Sequence, residues 1–167
     1  MEKYNLSNLE RKNFSRAANQ IYEITDYNHS QYPEYYKWFY GKSLPRVLNG
    51  TGEIMFYLDA FTIVGLTILK STDEEKKMCT FMINEEYRKR GFAHALLEDA
   101  FTYLDTEKPL VTIPEFRLEE FSKIIDSYGW VSSREIDDYN TKEIIFNDPS
   151  INVEKDLKKL QYPNKSI

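Results

Sequence analysis

The sequence has almost no cysteine, no long hydrophobic run and no excess of basic residues. Cys79 is its only cysteine, so an internal disulfide cannot form. The longest apolar stretch, residues 61–69, is interrupted by Gly65 and is too short to cross a bilayer. The first residues also lack the apolar core that a secretory signal requires. We therefore expect a cytoplasmic protein that does not enter a membrane.

The charge balance is mildly acidic. The chain has 22 Lys and Arg against 27 Asp and Glu, which gives a formal net charge of −5. This balance disfavours nucleic acid as a partner and suits an amine-bearing one, although mild acidity also serves solubility alone. The 167 residues are enough for one domain with a ligand cleft. We assign residues 1–147 to that domain and residues 148–167 to a polar C-terminal tail.

Aromatic residues are abundant, at 15% of the chain, and many precede residue 62. Glu34, Tyr35, Tyr36 and Trp38 lie within five residues of one another, and aromatic faces with one carboxylate suit a cationic amine. We predict that these four residues bind the substrate. The alternative is that about half of the rings belong to the core and the others to the ordinary surface.

Hydrophobic periodicity and turn residues predict alternating strands and helices. A capping box, Ser7-x-x-Glu10, predicts the start of the first helix. Pro33 predicts the start of a second helix, which Pro45 breaks or restarts. A polar turn is expected at residues 26–30. The predicted strands are residues 3–6, 53–58, 61–70, 78–83, 110–113, 131–136 and 142–146, the last two joined by a turn at 137–141. The later helices are residues 92–104 and 117–128, the second ended by Gly129.

A short cationic loop connects the predicted strand 78–83 to the helix 92–104. It reads Arg88-Lys89-Arg90-Gly91-Phe92-Ala93. Glycine permits close approach of a ligand, and the backbone N–H groups at a helix N-terminus favour an anion. The loop therefore predicts a phosphate site. The alternative is a solvated turn, which is disfavoured because cations at the positive end of a helix dipole need a compensating anion.

The spacing of Arg88, Gly91 and Ala93 resembles the Arg/Gln-x-x-Gly-x-Gly/Ala signature of the GCN5-related N-acetyltransferase (GNAT) family. The element order β-α-α-β-β-β-α-β-α-β-β is also similar to that family, most clearly from residue 53 to residue 147. The resemblance implies an α/β fold with a mixed sheet whose fourth and fifth strands run parallel and splay apart. It further implies acetyl-CoA as cosubstrate and no metal ion.

The resemblance also implies where the cosubstrate binds. Backbone groups around Phe81 and Ile83 would hydrogen-bond the pantetheine amides, and the cationic loop would hold the pyrophosphate. His94 takes a position where the family often has a small hydroxyl residue. The implied cofactor-binding residues are Phe81, Met82, Ile83, Arg88, Lys89, Arg90, Gly91, Phe92, Ala93 and His94.

The catalytic residues are less evident from the sequence. Glu115 follows the predicted fifth strand, beside the expected cleft, and is our candidate general base, although it also suits the N-terminus of the next helix. The family often has a tyrosine in that helix as general acid, but Ile125 takes its position here. Tyr128, in another register, is a possible acid. Water, or a tyrosine from the N-terminal half, could also serve, or the chemistry could be slow or absent.

These residues together predict an acetyl-CoA-dependent N-acetyltransferase. The acetyl group would move to a primary amine of a small molecule or a protein, by direct attack in a ternary complex. A sensor or interaction module that binds acyl-CoA with little or no catalysis is the alternative, and the absent family tyrosine favours it. A purely structural protein is the third reading. We expect a monomer or a homodimer.

Overall fold

The computed structural model describes residues 1–27, 32–138 and 141–150. Three predicted segments lie largely outside these ranges: the turn at 26–30, the centre of the last hairpin turn and the polar tail. The described elements, in chain order, are β1 (Glu2–Asn5), α1 (Arg11–Thr25), α2 (Tyr35–Trp38), α3 (Leu44–Asn49), β2 (Gly52–Asp59), β3 (Thr62–Ser71), β4 (Lys76–Ile83), α4 (Phe92–Leu104), β5 (Val111–Pro114), α5 (Leu118–Tyr128), β6 (Ser132–Asp138) and β7 (Thr141–Phe146). The predicted α/β fold with a mixed sheet is confirmed.

The strands form two antiparallel sheets that meet between β4 and β5. The first sheet has the order β1-β2-β3-β4 and the second the order β5-β7-β6. A parallel bridge between Lys77 and Leu110 joins them. In this bridge the Met78 N–H donates to the Leu110 carbonyl at 3.1 Å, and the Leu110 N–H donates to the Lys76 carbonyl at 2.9 Å. The β4 and β5 strands therefore run parallel, as the family resemblance implies.

Two apolar layers cover the sheets. The first contains Leu96, Phe101 and Phe121 of α4 and α5 together with Phe81 and Ile113 of the strands. The second contains residues of α1, α2 and α3 and the opposite face of the first sheet, such as Leu66. Alternate residues of a strand point to opposite faces, so the long apolar strand β3 serves both layers. No helix in the described part of the chain is long and apolar enough to span a membrane.

The predicted capping box at Ser7 is wrong. Helix α1 begins at Arg11, and its N-cap residue, Glu10, makes no side-chain capping bond. The Ser7 N–H and hydroxyl instead donate to the carboxylate of Glu53, which is 4% exposed. A buried carboxylate needs hydrogen-bond donors, and this requirement outweighs the local capping pattern.

The second predicted helix is not broken at Pro45. Helix α2 continues through a π-helical turn, Phe39–Ser43, directly into α3, and Pro45 lies in the first turn of α3. Proline inside a helix removes an N–H and clashes with the carbonyl four residues earlier. A wider turn before the proline relieves both problems. The predicted bounds of α4 and the left-handed Gly129 after α5, with φ of 60°, are confirmed.

Candidate active site

The two parallel strands separate after their single bridge. Within the described residues the ladder between β4 and β5 stops at Lys77 and Leu110. The Asn84 N–H donates to Val64 of β3 at 2.7 Å. Because backbone groups alternate between the two edges of a strand, those of Phe81 and Ile83 face β5 across the gap. The Met82 groups face β3, and its side chain packs in the layer under α1–α3.

A β-bulge lies in β4 where the strands begin to separate. Ile68 pairs with Thr80 and Leu69 pairs with Met78, so Cys79 is an extra residue without a partner on β3. A bulge bends its strand and increases the local twist. Here it turns the second half of β4 away from β5, which explains why a parallel ladder begins but does not continue.

The cationic loop after β4 is open and presents backbone amides. Residues 88–91 are exposed, and a Cβ placed on Gly91 would have no atom within 4 Å. Lys89 and Gly91 have φ of 62° and 87°, on either side of Arg90. Left-handed residues at two alternate positions help to turn successive N–H groups towards one point. The first helical bond of α4 runs from the Ala95 N–H to the Gly91 carbonyl, so the amides of residues 92–94 precede the helical ladder.

The loop's arginines are held close to it. The Arg90 guanidinium lies 5.2 Å from the centroid of the Tyr87 ring, whose hydroxyl donates to Asp59 at 3.0 Å. The Arg88 Nε donates to the carbonyl of Ile83 at 3.4 Å, a long hydrogen bond. Both guanidiniums remain exposed beside the amides. Backbone donors, two arginines and a glycine without a neighbour over its Cα together fit a diphosphate.

A cavity of about 470 Å³ lies along the separated strands. Its walls come from α2 and the residues before it, from β4 and β5, and from single side chains of α3, α5 and β7. Among the predicted substrate residues, Glu34, Tyr35 and Trp38 line this cavity. Tyr36 does not: it is 57% exposed and packs on the rings of Tyr22 and Tyr40. Phe81 also lines the cavity, which therefore reaches the open edge of β4.

A buried carboxylate, which we did not anticipate from the sequence, belongs to this cavity. Glu143 of β7 is 3% exposed and pairs with Pro114, the last residue of β5. The Tyr32 hydroxyl donates to it. One feature of the sequence could have indicated that Glu143 is buried. Glu143 lies two residues before Ile145, so the two side chains point to the same face of the strand.

The predicted general base, Glu115, lies at the same end of β5 but outside the cavity wall. It begins a 3₁₀ turn, Glu115–Arg117, between β5 and α5. Its carboxylate is 57% exposed and lies 3.7 Å from the ammonium group of Lys142. Its role stays a prediction.

The predicted acid, Tyr128, lies between α5 and α4. Its hydroxyl donates to Glu98 at 2.9 Å and lies 3.0 Å from Nδ1 of His94. Burial, then the hydrogen bond to Glu98, raises the pKa of Tyr128 to about 12. Its ring packs edge-on against Phe101, outside the cavity wall. Its role also stays a prediction, as does the phosphate contact of His94. In the described residues, no three His, Cys, Asp or Glu side chains are grouped to hold a metal.

The chain has the GNAT fold, which many solved acetyltransferase structures share with it. An acetyltransferase of the GNAT family from Bacillus cereus is 17% identical, with a TM-score of 0.57 over 87% of this chain and 96% of that one. A spermidine N-acetyltransferase chimera from Vibrio cholerae is 16% identical, with a TM-score of 0.54 over 87% and 95%. A putative streptothricin acetyltransferase from Bacillus anthracis, in complex with acetyl coenzyme A, is 14% identical, with a TM-score of 0.53 over 63% and 67%. No family model and no curated protein matches the chain.

Proposed function

We propose that the protein is a cytoplasmic acetyl-CoA-dependent N-acetyltransferase whose acceptor is a primary amine. One observation carries the proposal: the open edge of β4 runs from an exposed phosphate-binding loop to a cavity of about 470 Å³. A long, thin cosubstrate with a diphosphate fits this arrangement. The acetyltransferase neighbours support it, and two of them are named for amine-bearing acceptors, spermidine and streptothricin.

Each part of the site has its own task in this proposal. The amides of residues 89–94, with Arg88 and Arg90, hold the diphosphate. The open backbone groups of Phe81 and the N–H of Ile83 hydrogen-bond the amide groups of the pantetheine arm, as an added strand would. The acetyl-CoA thioester supplies an activated acetyl group. Holding it beside an amine in one cavity contributes several kcal/mol towards reaction.

The amine must lose a proton before it can attack. A lysine-like amine has a reference pKa of about 10.4, so it is an ammonium ion at neutral pH. We propose Glu115 as the base that takes this proton, through a water molecule at the end of β5. For the departing thiolate we propose water as the proton donor. Tyr128, with a pKa of about 12, is a weak acid towards a thiolate, whose conjugate acid has a pKa of about 8.5.

Calorimetric titration with acetyl-CoA tests the first half of the proposal. Thiol release with polyamines, aminoglycosides, amino acids and peptide N-termini tests the second half. We expect binding in the first experiment and release with at least one amine class in the second. An acyl-CoA sensor, which Ile125 in place of the family tyrosine favours, would bind without thiol release. Absence of binding would overturn both readings.

A further inference from the structure

The cavity along β4 and β5 carries opposite charges at its two ends. Glu143 and Glu34 lie at the aromatic end, and Arg117 lines the cavity close to the end of β5. Glu34 is paired with Lys37 at 2.7 Å and Arg117 with Glu120 at 3.2 Å, so the buried carboxylate of Glu143 is the charge that matters at this end. Arg46, Lys70 and Lys77 lie at the other end, together with Glu75. The Lys70 ammonium is 2.8 Å from the Glu75 carboxylate, so these two charges balance. Within the described residues, Arg46 and Lys77 have no ion-pair partner. A net positive end therefore remains.

The cationic end is grouped around the bulge in β4. Cys79 lines the cavity, and the charges that act on its thiol, in decreasing order, belong to Lys77, Arg46, Glu75 and Lys70. Arg46 and Lys77 are both half-buried. Two half-buried cations that form no ion pair in the described part of the chain keep their positive charges facing the cavity, where an anion is attracted. An anionic group of the ligand would pair with both of them.

This end is separate from the phosphate-binding loop. Lys77 and Ile83 are six residues apart in β4, which at about 3.3 Å per residue places them about 20 Å apart. The loop follows Ile83, whereas Lys77 lies beside the bridge where β4 and β5 are closest. An anion bound by Lys77 and Arg46 is therefore not the diphosphate of a cosubstrate held at the loop.

The acidic end lies further along β5. Glu143 pairs with Pro114, and Lys77 bridges Leu110, four residues earlier. The two ends are thus separated by about 13 Å along β5. Two hydrogen bonds of about 3 Å, one at each end, leave room for a chain of several carbon atoms between an ammonium and an anionic group.

We propose that the acceptor is a zwitterionic amine, with its ammonium group at Glu143 and its anionic group at Arg46 and Lys77. This inference rests on the proposed acetyltransferase function and specifies its substrate class. A carboxylate accepts several hydrogen bonds, so Glu143 can receive an ammonium while it also accepts the Tyr32 hydroxyl. During transfer the N–C bond forms and the C–S bond breaks. The nitrogen loses two protons: the first passes to Glu115 through water before the attack, and the second, released as the amide forms, neutralises the thiolate that leaves.

Matched pairs of amines test the proposal. Aminohexanoate and aminooctanoate, with terminal amino groups, carry both charges, whereas hexylamine and octylamine lack the anionic group. With acetyl-CoA, we expect the amino acids to give a kcat/KM for thiol release at least about tenfold above that of the alkylamines of equal length. Lys77→Met should abolish most of this preference. The control is Lys76→Met, because Lys76 is exposed and outside the cavity, with its ammonium bonded to Ser71.

The outcomes separate this inference from the proposed function. If acetyl-CoA does not bind, the proposed function fails. If it binds and the alkylamines react as fast as the amino acids, or if Lys76→Met and Lys77→Met have equal effects, the zwitterion inference alone fails. If no amine reacts, calorimetric titration of aminooctanoate in the presence of CoA decides. If aminooctanoate binds and Lys77→Met weakens its binding, the inference is supported. If aminooctanoate does not bind, the inference fails.

Discussion

Lys77 and Leu110 form a parallel bridge at the point from which β4 and β5 diverge. The extra residue Cys79 follows two positions later and bends β4 away from its neighbour. The backbone of Phe81 and Ile83 is thereby left facing a gap in the middle of the fold. Open strand edges inside a protein are unfavourable unless something pairs with them, so this gap indicates a ligand rather than a packing defect.

The first prediction concerns the phosphate-binding loop. Gly91→Glu places bulk and negative charge beside the amides of residues 89–94 while the core remains unchanged. We expect the affinity for acetyl-CoA, measured by calorimetric titration, to fall at least about tenfold, which is about 1.4 kcal/mol.

Gly91→Ala is the matched control for this change. Gly91 has φ of 87°, so any side chain there costs about 1–2 kcal/mol in backbone strain, whatever its charge. A Cβ at this position meets no neighbour within 4 Å, so the alanine adds strain without a clash. A thermal unfolding curve of each variant measures the strain. Equal loss of affinity in both variants, or none in Gly91→Glu, would contradict a diphosphate at the loop.

The second prediction separates the two carboxylates at the end of β5. Glu143→Gln keeps the shape of the side chain but removes the charge that receives an ammonium. A hydrogen bond to a charged group contributes about 1.5–3 kcal/mol, so we expect the KM of the amine to rise at least about tenfold. The dissociation constant of acetyl-CoA should not change, because the loop is on another part of the fold. Initial-rate kinetics with each substrate varied gives both values.

Glu115→Gln should affect a different constant. As a base acting through water, Glu115 contributes to kcat, which we expect to fall at least about tenfold, with the KM of the amine unchanged. The loss of its exposed ion pair with Lys142 costs at most about 1 kcal/mol of stability. A kcat within about twofold of that of the parent protein would mean that Glu115 is not the base and only complements the dipole at the N-terminus of α5.

Local sequence patterns were sufficient for part of this site. The bounds of α4 and the position of the cationic loop before it follow from periodicity and glycine, which depend on neighbours in sequence. The parallel direction of β4 and β5 was expected only from the resemblance to a known family. The grouping of Glu143, Arg46 and Lys77 around one cavity depends instead on contacts between distant segments: Tyr32 and Glu143, for example, are 111 residues apart. Local pattern carries no information about such pairs.

The bulge at Cys79 and the continuous helix across Pro45 were missed for a similar reason. A bulge is a mismatch between two strands, and each strand alone reads as regular alternation. In the helix, proline normally signals an end, but the preceding π-helical turn removes the clash. The capping box failed because a buried carboxylate, Glu53, competed for Ser7.

The third prediction concerns Tyr128. Since its pKa is raised to about 12 and its hydroxyl faces Glu98 and His94, we expect Tyr128→Phe to change kcat less than about threefold. Loss of the two hydrogen bonds should lower the free energy of unfolding by about 1 kcal/mol. Steady-state kinetics and urea unfolding measure the two effects. A fall in kcat of more than about tenfold, which diminishes as the pH rises towards about 12 and the hydroxyl ionises, would show that Tyr128 is the general acid after all.

The fourth prediction is a loss of stability in alkaline solution. The hydrogen bond to Asp26, followed by burial, raises the pKa of Tyr22 to about 12, and Tyr128 has a similar value. Burial and a hydrogen bond to Asp99 raise the pKa of Tyr57 as well. An unfolded tyrosine has a pKa of about 10, so above that pH the folded chain holds protons that the unfolded chain has lost. The free energy of unfolding must therefore be highest below about pH 10 and fall as the pH rises towards about 12.

Urea unfolding midpoints across this interval measure the fall. The double variant Tyr22→Phe and Tyr128→Phe has no hydroxyl to titrate at either position, so its unfolding midpoint should decline less steeply with pH. A midpoint of the parent protein that stays constant between about pH 10 and 12 would contradict the raised pKa values of these tyrosines.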